Sequence, residues 1–132
     1  MPETSSRSQN QESPFKGKTG LRRLWNAFFY TLDGLRAAYR HEDAFRQEVW
    51  LAVIMIPLAL ILPATNLGRA TMVTSVLLVL IVELINSAIE AAIDRISLEN
   101  HNLSKRAKDI GSAAVMLALI NVIATWALVL AG

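Results

Sequence analysis

The chain has 132 residues, enough for one domain and no more. Hydrophobic residues make up 53% and charged residues 18%, which is too apolar for an ordinary soluble domain of this size, and the absence of cysteine excludes disulfides and thiolate-held metals. The formal charge is only +2, and because the basic residues flank apolar stretches they suit anionic lipid headgroups rather than nucleic acid.

Residues 1–20 are predicted to be a disordered polar tail, ahead of a membrane domain over 21–132. The opening MPETSSRSQNQESP has no apolar core of the kind a cleavable signal peptide carries. Gly17-Lys18-Thr19 resembles the end of a phosphate-binding loop, but the earlier glycine would fall at Glu12 and no strand precedes it, so that motif is absent. From about 21 to 40, Leu21, Leu24, Trp25, Phe28, Leu32, Leu35 and Tyr39 recur at helical spacing. Arg22, Arg23, Asn26, Asp33, Arg36 and Arg40 fall largely between them. An amphipathic helix of this kind lies in a membrane interface, with packing on another helix as the plainer alternative.

Three apolar stretches follow. The first span, about 48–65, is free of charge after Glu48; Pro57 is expected to kink it and Pro63 to mark its exit. The second, about 70–93, is long enough to cross a bilayer yet carries Glu83, Asn86 and Glu90. The third, about 110–131, opens on Gly111-Ser112-Ala113-Ala114, small residues that permit close helix approach in lipid. The predicted fold is therefore an all-α membrane protein, three transmembrane helices preceded by an amphipathic interfacial helix.

Orientation follows from the basic residues, which favour the cytoplasmic side. Of 13 Lys and Arg, Arg7, Lys16, Lys18, Arg22, Arg23, Arg36, Arg40 and Arg46 precede the first span. Arg69 alone lies in the first connection; Arg95, Lys105, Arg106 and Lys108 lie in the second, and none follows the third span. The N-terminus and the 94–110 loop are predicted to be cytoplasmic.

The second span concentrates the chemistry. With Glu83 at zero on a helical wheel, Asn86 falls at about 300°, Ser87 at about 40°, Glu90 at about 340° and Asp94 at about 20°. The polar residues thus share one face of an otherwise apolar helix. A charge near the bilayer centre costs roughly 2.5–3.5 kcal/mol, so such residues face the bundle interior and mark function. Helix cross-linking through Asn86 and Ser87 is the structural alternative, but an acidic stripe makes poor glue. The stripe runs towards the side where two other polar clusters lie, Glu42-Asp43-Ala44-Phe45-Arg46-Gln47-Glu48 and, past the second span, Glu99-Asn100-His101 with Lys105-Arg106-Ala107-Lys108-Asp109. Carboxylates from two segments suit Mg²⁺, which takes oxygen ligands and accompanies phosphates, and the nearby Lys and Arg suit phosphate charge. Together at a lipid interface they point to phosphoryl transfer onto something that lives in the lipid. A small oligomeric transporter with Glu83 coupling protons is a rival of another class; it leaves the Lys-Asp and Glu clusters without a role. A non-catalytic adaptor is a further rival, for which neutral substitutions along the stripe would be harmless. His41 has no metal-spaced partner and reads as an interfacial polar residue; for His101, a solvated role and a ligand contact both stand.

The strings GLRAAYRHEDAFRQE (34–48), VELINSAIEAAIDRIS (82–97) and LSKRAKDIGSAAV (103–115) closely resemble the prokaryotic diacylglycerol kinase family, and the resemblance covers about residues 21–130. It implies a homotrimeric kinase of the bacterial inner membrane, with active sites shared between subunits, that uses Mg²⁺ and moves the γ-phosphate of ATP to diacylglycerol. By the same resemblance Glu83 is the general base and Asn86 a polar residue beside it, while Glu42 and Glu90 hold Mg²⁺. Lys108 and Asp109 contact the nucleotide, as do Arg23, Tyr30, Glu99 and His101, together with Glu42 and Glu90 through the metal. Arg23, Arg46, Glu48, Glu83 and Ser112 line the lipid site. Asp33 departs from a pattern that often has a basic residue there, and no phosphate contact is carried over to it. Undecaprenol kinases share the NSAIE core and are the nearest alternative; the intact AFRQE string favours diacylglycerol. One demand follows from depth: with hydrocarbon ending near Ile93, Glu83 lies about 15 Å deeper, so a base there needs a polar cleft, a thinned bilayer or a tilted helix.

Overall fold

A computed structural model of the chain describes residues 20–96 and 102–132. Among the described residues the regular elements are all α-helices: α1 (Gly20–His41), α2 (Asp43–Ile61), α3 (Asn66–Ile96) and α4 (Asn102–Ala131). The predicted polar tail, apart from Gly20, lies outside the described residues. The chain divides into two compact units at Leu35 and Arg36.

In the first unit, residues 20–35 of α1 present an aromatic ridge. Trp25 and Phe28 each meet Phe29 edge-on, with ring centroids 5.2 Å and 5.9 Å apart. Leu21, Leu24, Trp25 and Phe28 stay exposed and α1 buries no residue, as expected of a helix whose apolar face meets lipid.

In the second unit the last turn of α1 runs into α2 with a single non-helical residue between them. Glu42 takes an extended backbone, φ −116° and ψ 107°, so the polar string 43–48 forms the opening turns of the first spanning helix rather than a separate connection. Arg46 accounts for this tight junction. Its Nη1 donates to the carbonyls of Tyr39 at 2.9 Å and Arg40 at 3.4 Å, groups that a helix C-terminus leaves without partners. Its Nη2 pairs with Asp43, and its guanidinium lies 5.8 Å from the centre of the Tyr39 ring. Trp50 Nε1 also donates to Tyr39 Oη at 3.2 Å.

Pro57 sits inside α2 without ending it. The helix stops at Ile61 because Leu62 precedes Pro63 and is held extended, φ −67° and ψ 149°. Thr65 then caps α3: its Oγ1 accepts the Gly68 N–H at 3.0 Å, so the helix starts ahead of its apolar stretch. Arg69 holds this turn through Asn66 Oδ1 at 3.1 Å and the Leu62 carbonyl at 3.4 Å.

Helices α2, α3 and α4 are each long and apolar enough to cross a membrane. At 31 and 30 residues, α3 and α4 run to about 45 Å, longer than the hydrocarbon core, so polar turns extend past it. α3 packs against both α2 and α4. Its buried residues include Met72, Ser75, Val76, Val79, Glu83, Asn86 and Ser87, the periodicity of one helical face. The neighbours meet that face with small residues, Ala52 and Ala59 from α2, Gly111 and Ala118 from α4. Lipid tails give no hydrophobic drive to helix pairing, and close backbone approach supplies the dispersion contacts instead. Deeper in the bundle Trp126 Nε1 donates to Ser75 Oγ at 3.2 Å, and that hydroxyl donates to the Met72 carbonyl at 2.7 Å.

Candidate active site

The polar face of α3 is graded along its length. Glu83, Asn86 and Ser87 are buried, Glu90 is half-buried and Asp94 is exposed. At 5% exposure, Glu83 is an ionisable side chain buried in a membrane helix, a placement that marks function.

α2 brings a second acid to it. Glu48 is half-buried, with Oε2 enclosed and without a hydrogen-bond partner, and its carboxylate interacts electrostatically with that of Glu83. Glu90, two turns along α3, and Glu42, at the α1–α2 junction, act on Glu83 in the same way. Carboxylates from the junction, α2 and α3 therefore each lie within electrostatic reach of Glu83. The cations nearest in sequence are engaged elsewhere: Arg46 on Asp43, Lys105 on Asp109 at 2.7 Å, and Lys108 on Asp94 at 2.7 Å. Among the described residues none of the four glutamates has an ion-pair partner, so the cluster is a concentrated negative charge at the edge of an apolar bundle. A mobile cation, or a proton, is what such a cluster takes up.

One amide contact orders the cluster. Asn86 Nδ2 donates to Glu90 Oε1 at 3.5 Å, within α3, while Asn86 Oδ1 and Ser87 Oγ are enclosed without partners. Beneath the acids, Glu48, Leu51, Met55, Val76, Val79 and Leu119 line an apolar cavity of about 50 Å³ between α2, α3 and α4. On α4 a larger hollow of about 340 Å³ is lined by Asn102, Lys105, Arg106, Asp109, Ile110 and Ala113. Glu48 thus borders an apolar cavity, while Glu83, Asn86 and Ser87 are buried on the neighbouring face of α3.

The family model described as prokaryotic diacylglycerol kinase matches residues 29–130. The chain belongs to that family. It is similar to the diacylglycerol kinase of Pseudomonas aeruginosa, 57% identical over 120 residues, covering 91% of this chain and 98% of the relative. It also resembles the diacylglycerol kinases of Haemophilus influenzae, at 50% identity over 82% of this chain and 92% of the relative, and of Escherichia coli, at 47% over 85% and 92%.

Within this family member, the structure brings Glu42, Glu48, Glu83, Asn86 and Glu90 together, and places Lys108 beside the cluster through Asp94. Asp109 binds Lys105 one turn away on the exposed side of α4, and Ser112 is exposed there too. Arg46 works at the α1–α2 junction, where its donors already have protein acceptors. Arg23 and Tyr30 are exposed on the first unit. Glu99 and His101 lie outside the described residues. No group of three or more His, Asp or Glu side chains close enough to hold a metal occurs among the described residues. The carboxylates of Glu42 and Glu90 are the hard oxygen donors that Mg²⁺ takes.

Sequence reasoning missed Asp94 as the partner of Lys108. Asp94 was visible as the last member of the stripe, but the two residues are 14 apart on different helices, and no periodicity links them.

Proposed function

We propose that this chain is an ATP-dependent lipid kinase that converts diacylglycerol to phosphatidic acid by direct transfer. The reading rests on one observation above all: Glu42 and Glu90 each come within electrostatic reach of buried Glu83, and among the described residues none of the three forms an ion pair. Membership of the diacylglycerol kinase family supplies the substrate class.

Glu42 and Glu90 would hold Mg²⁺, which when bound offsets charge on the β- and γ-phosphate oxygens. Asn86 keeps the Glu90 carboxylate oriented by its amide hydrogen bond. Glu83 accepts the proton of the lipid's primary hydroxyl, whose oxygen forms a bond to the γ-phosphorus. The bond from that phosphorus to the bridging β–γ oxygen breaks, and ADP leaves with its electron pair. Lys108 has three donors and uses one on Asp94, so the others remain for the phosphates. Asp109, Arg23, Tyr30, Glu99 and His101 complete the nucleotide site; Arg46, Glu48, Ser112 and Arg23 border the lipid. The stripe of Glu83, Asn86 and Ser87, with Glu48 facing it from α2, would meet the depth demand by giving a lipid hydroxyl polar groups to follow below the interface. In this reading the protein works as a homotrimer with shared sites in the bacterial inner membrane, its cluster facing the cytoplasm.

Purified chain in mixed micelles with radiolabelled ATP and diacylglycerol is expected to yield labelled phosphatidic acid, dependent on Mg²⁺. Label appearing only on undecaprenol would replace the substrate; proton flux without ATP turnover would replace the class. A finer prediction concerns the lysine: Asp94→Asn is expected to raise KM for ATP about twofold to fivefold, a modest effect because the pair is solvent-exposed. KM for lipid should stay unchanged; steady-state titration of each substrate separates the two.

A further inference from the structure

Gly111 is one of two α4 residues that the bundle buries, and it meets α3 at the acidic stripe. A Cβ built on it would run into Asn86 Oδ1, with Asn86 Cγ next at 3.1 Å. The Asn86 carboxamide thus occupies the space that any other residue at 111 would fill. Its oxygen lies against bare α4 backbone with no hydrogen-bond partner, and its nitrogen is turned to Glu90 Oε1. An amide so wedged has little freedom to rotate. Lys108, one turn from Gly111 on α4, pairs with Asp94, about two turns from Asn86 on α3, at 2.7 Å and so ties the same two helices together.

We infer that Gly111 is a positioning residue: by lacking a side chain it seats the Asn86 amide between α3 and α4 and so fixes the direction of the Glu90 carboxylate. The inference rests on the reading of Glu90 as a metal ligand for its functional consequence, but the steric contact itself does not. Residues that orient a metal ligand from behind typically change metal affinity or activity by about 10- to 100-fold when altered.

The experiment has a metal-free and a metal-dependent arm, both on the full chain in detergent–lipid micelles. In the first, thermal unfolding without Mg²⁺ is followed for Gly111→Ala, Asn86→Ala and the double variant. Gly111→Ala is expected to lower the midpoint, and Asn86→Ala, by vacating the space, to recover most of that loss. Additive effects would overturn the inference. If Gly111→Ala does not fold, the double variant must fold, or the inference falls. Gly68→Ala is the control, since a Cβ there would meet Val129 Cγ1 at 2.8 Å and Thr65 Oγ1 at 3.2 Å, far along α3 from the acids. Its loss of stability should not be recovered by Asn86→Ala.

In the second arm the Mg²⁺ concentration giving half-maximal turnover is expected to rise at least about tenfold in Gly111→Ala and to stay at the wild-type value in Gly68→Ala. An equal shift in both variants, or none in Gly111→Ala, would overturn the positioning role. Unchanged turnover and Mg²⁺ requirement in Glu90→Gln would instead sink the metal reading. The stability cycle would still report on the contact between Gly111 and Asn86.

Discussion

Glu90→Gln is expected to lower kcat by about a thousandfold, the effect of losing ~4 kcal/mol of transition-state stabilisation, in a protein that still folds. Glu90 is half-buried at the mouth of the cluster, so the isosteric amide leaves packing unchanged. Asn86 Nδ2 keeps an oxygen acceptor there. On the proposed reading the variant would lose one of the two carboxylates that hold the cation, leaving Glu42 alone. ATP-dependent phosphorylation of diacylglycerol in mixed micelles, with unfolding followed in parallel, measures both. Near-wild-type turnover would remove the metal site from the mechanism.

Glu83→Gln is expected to reduce kcat by about 10²- to 10⁴-fold, the usual contribution of a positioned general base, with KM for ATP little changed. It should also raise thermal stability. Glu83 is buried and repelled by Glu42, Glu48 and Glu90, and an ionisable group at such depth costs roughly 2.5–3.5 kcal/mol on insertion, which an amide largely avoids. Loss of activity together with a gain in stability is the pattern of a group kept for chemistry. Retained turnover in Glu83→Gln, with turnover lost in Glu48→Gln, would move the base from α3 to α2.

Glu48 is also where helix boundaries and chemistry meet. Hydropathy places residues 42–47 ahead of the first span, because charged side chains lower the window average. Helix formation is decided by hydrogen bonds and termini, and Arg46, by capping α1, lets α2 begin at Asp43. That extension sets Glu48 on a rigid helix facing Glu83. At the opposite end, the Thr65 cap starts α3 four residues before the apolar stretch begins at Ala70, a side-chain hydrogen bond that hydropathy does not register.

The sequence by itself determined the three spans, since only long apolar runs satisfy their own backbone groups in lipid. It also determined the shared face of Glu83, Asn86, Ser87, Glu90 and Asp94, since the helical period places them there whatever surrounds the helix. Only the tertiary structure decided which groups meet that face. Glu48 against Glu83, Lys108 on Asp94 and Asn86 in the hollow over Gly111 depend on how far each helix is rotated and how closely the backbones approach. Those variables are set by contacts among small residues on different helices, and a single chain's periodicity carries no information about them.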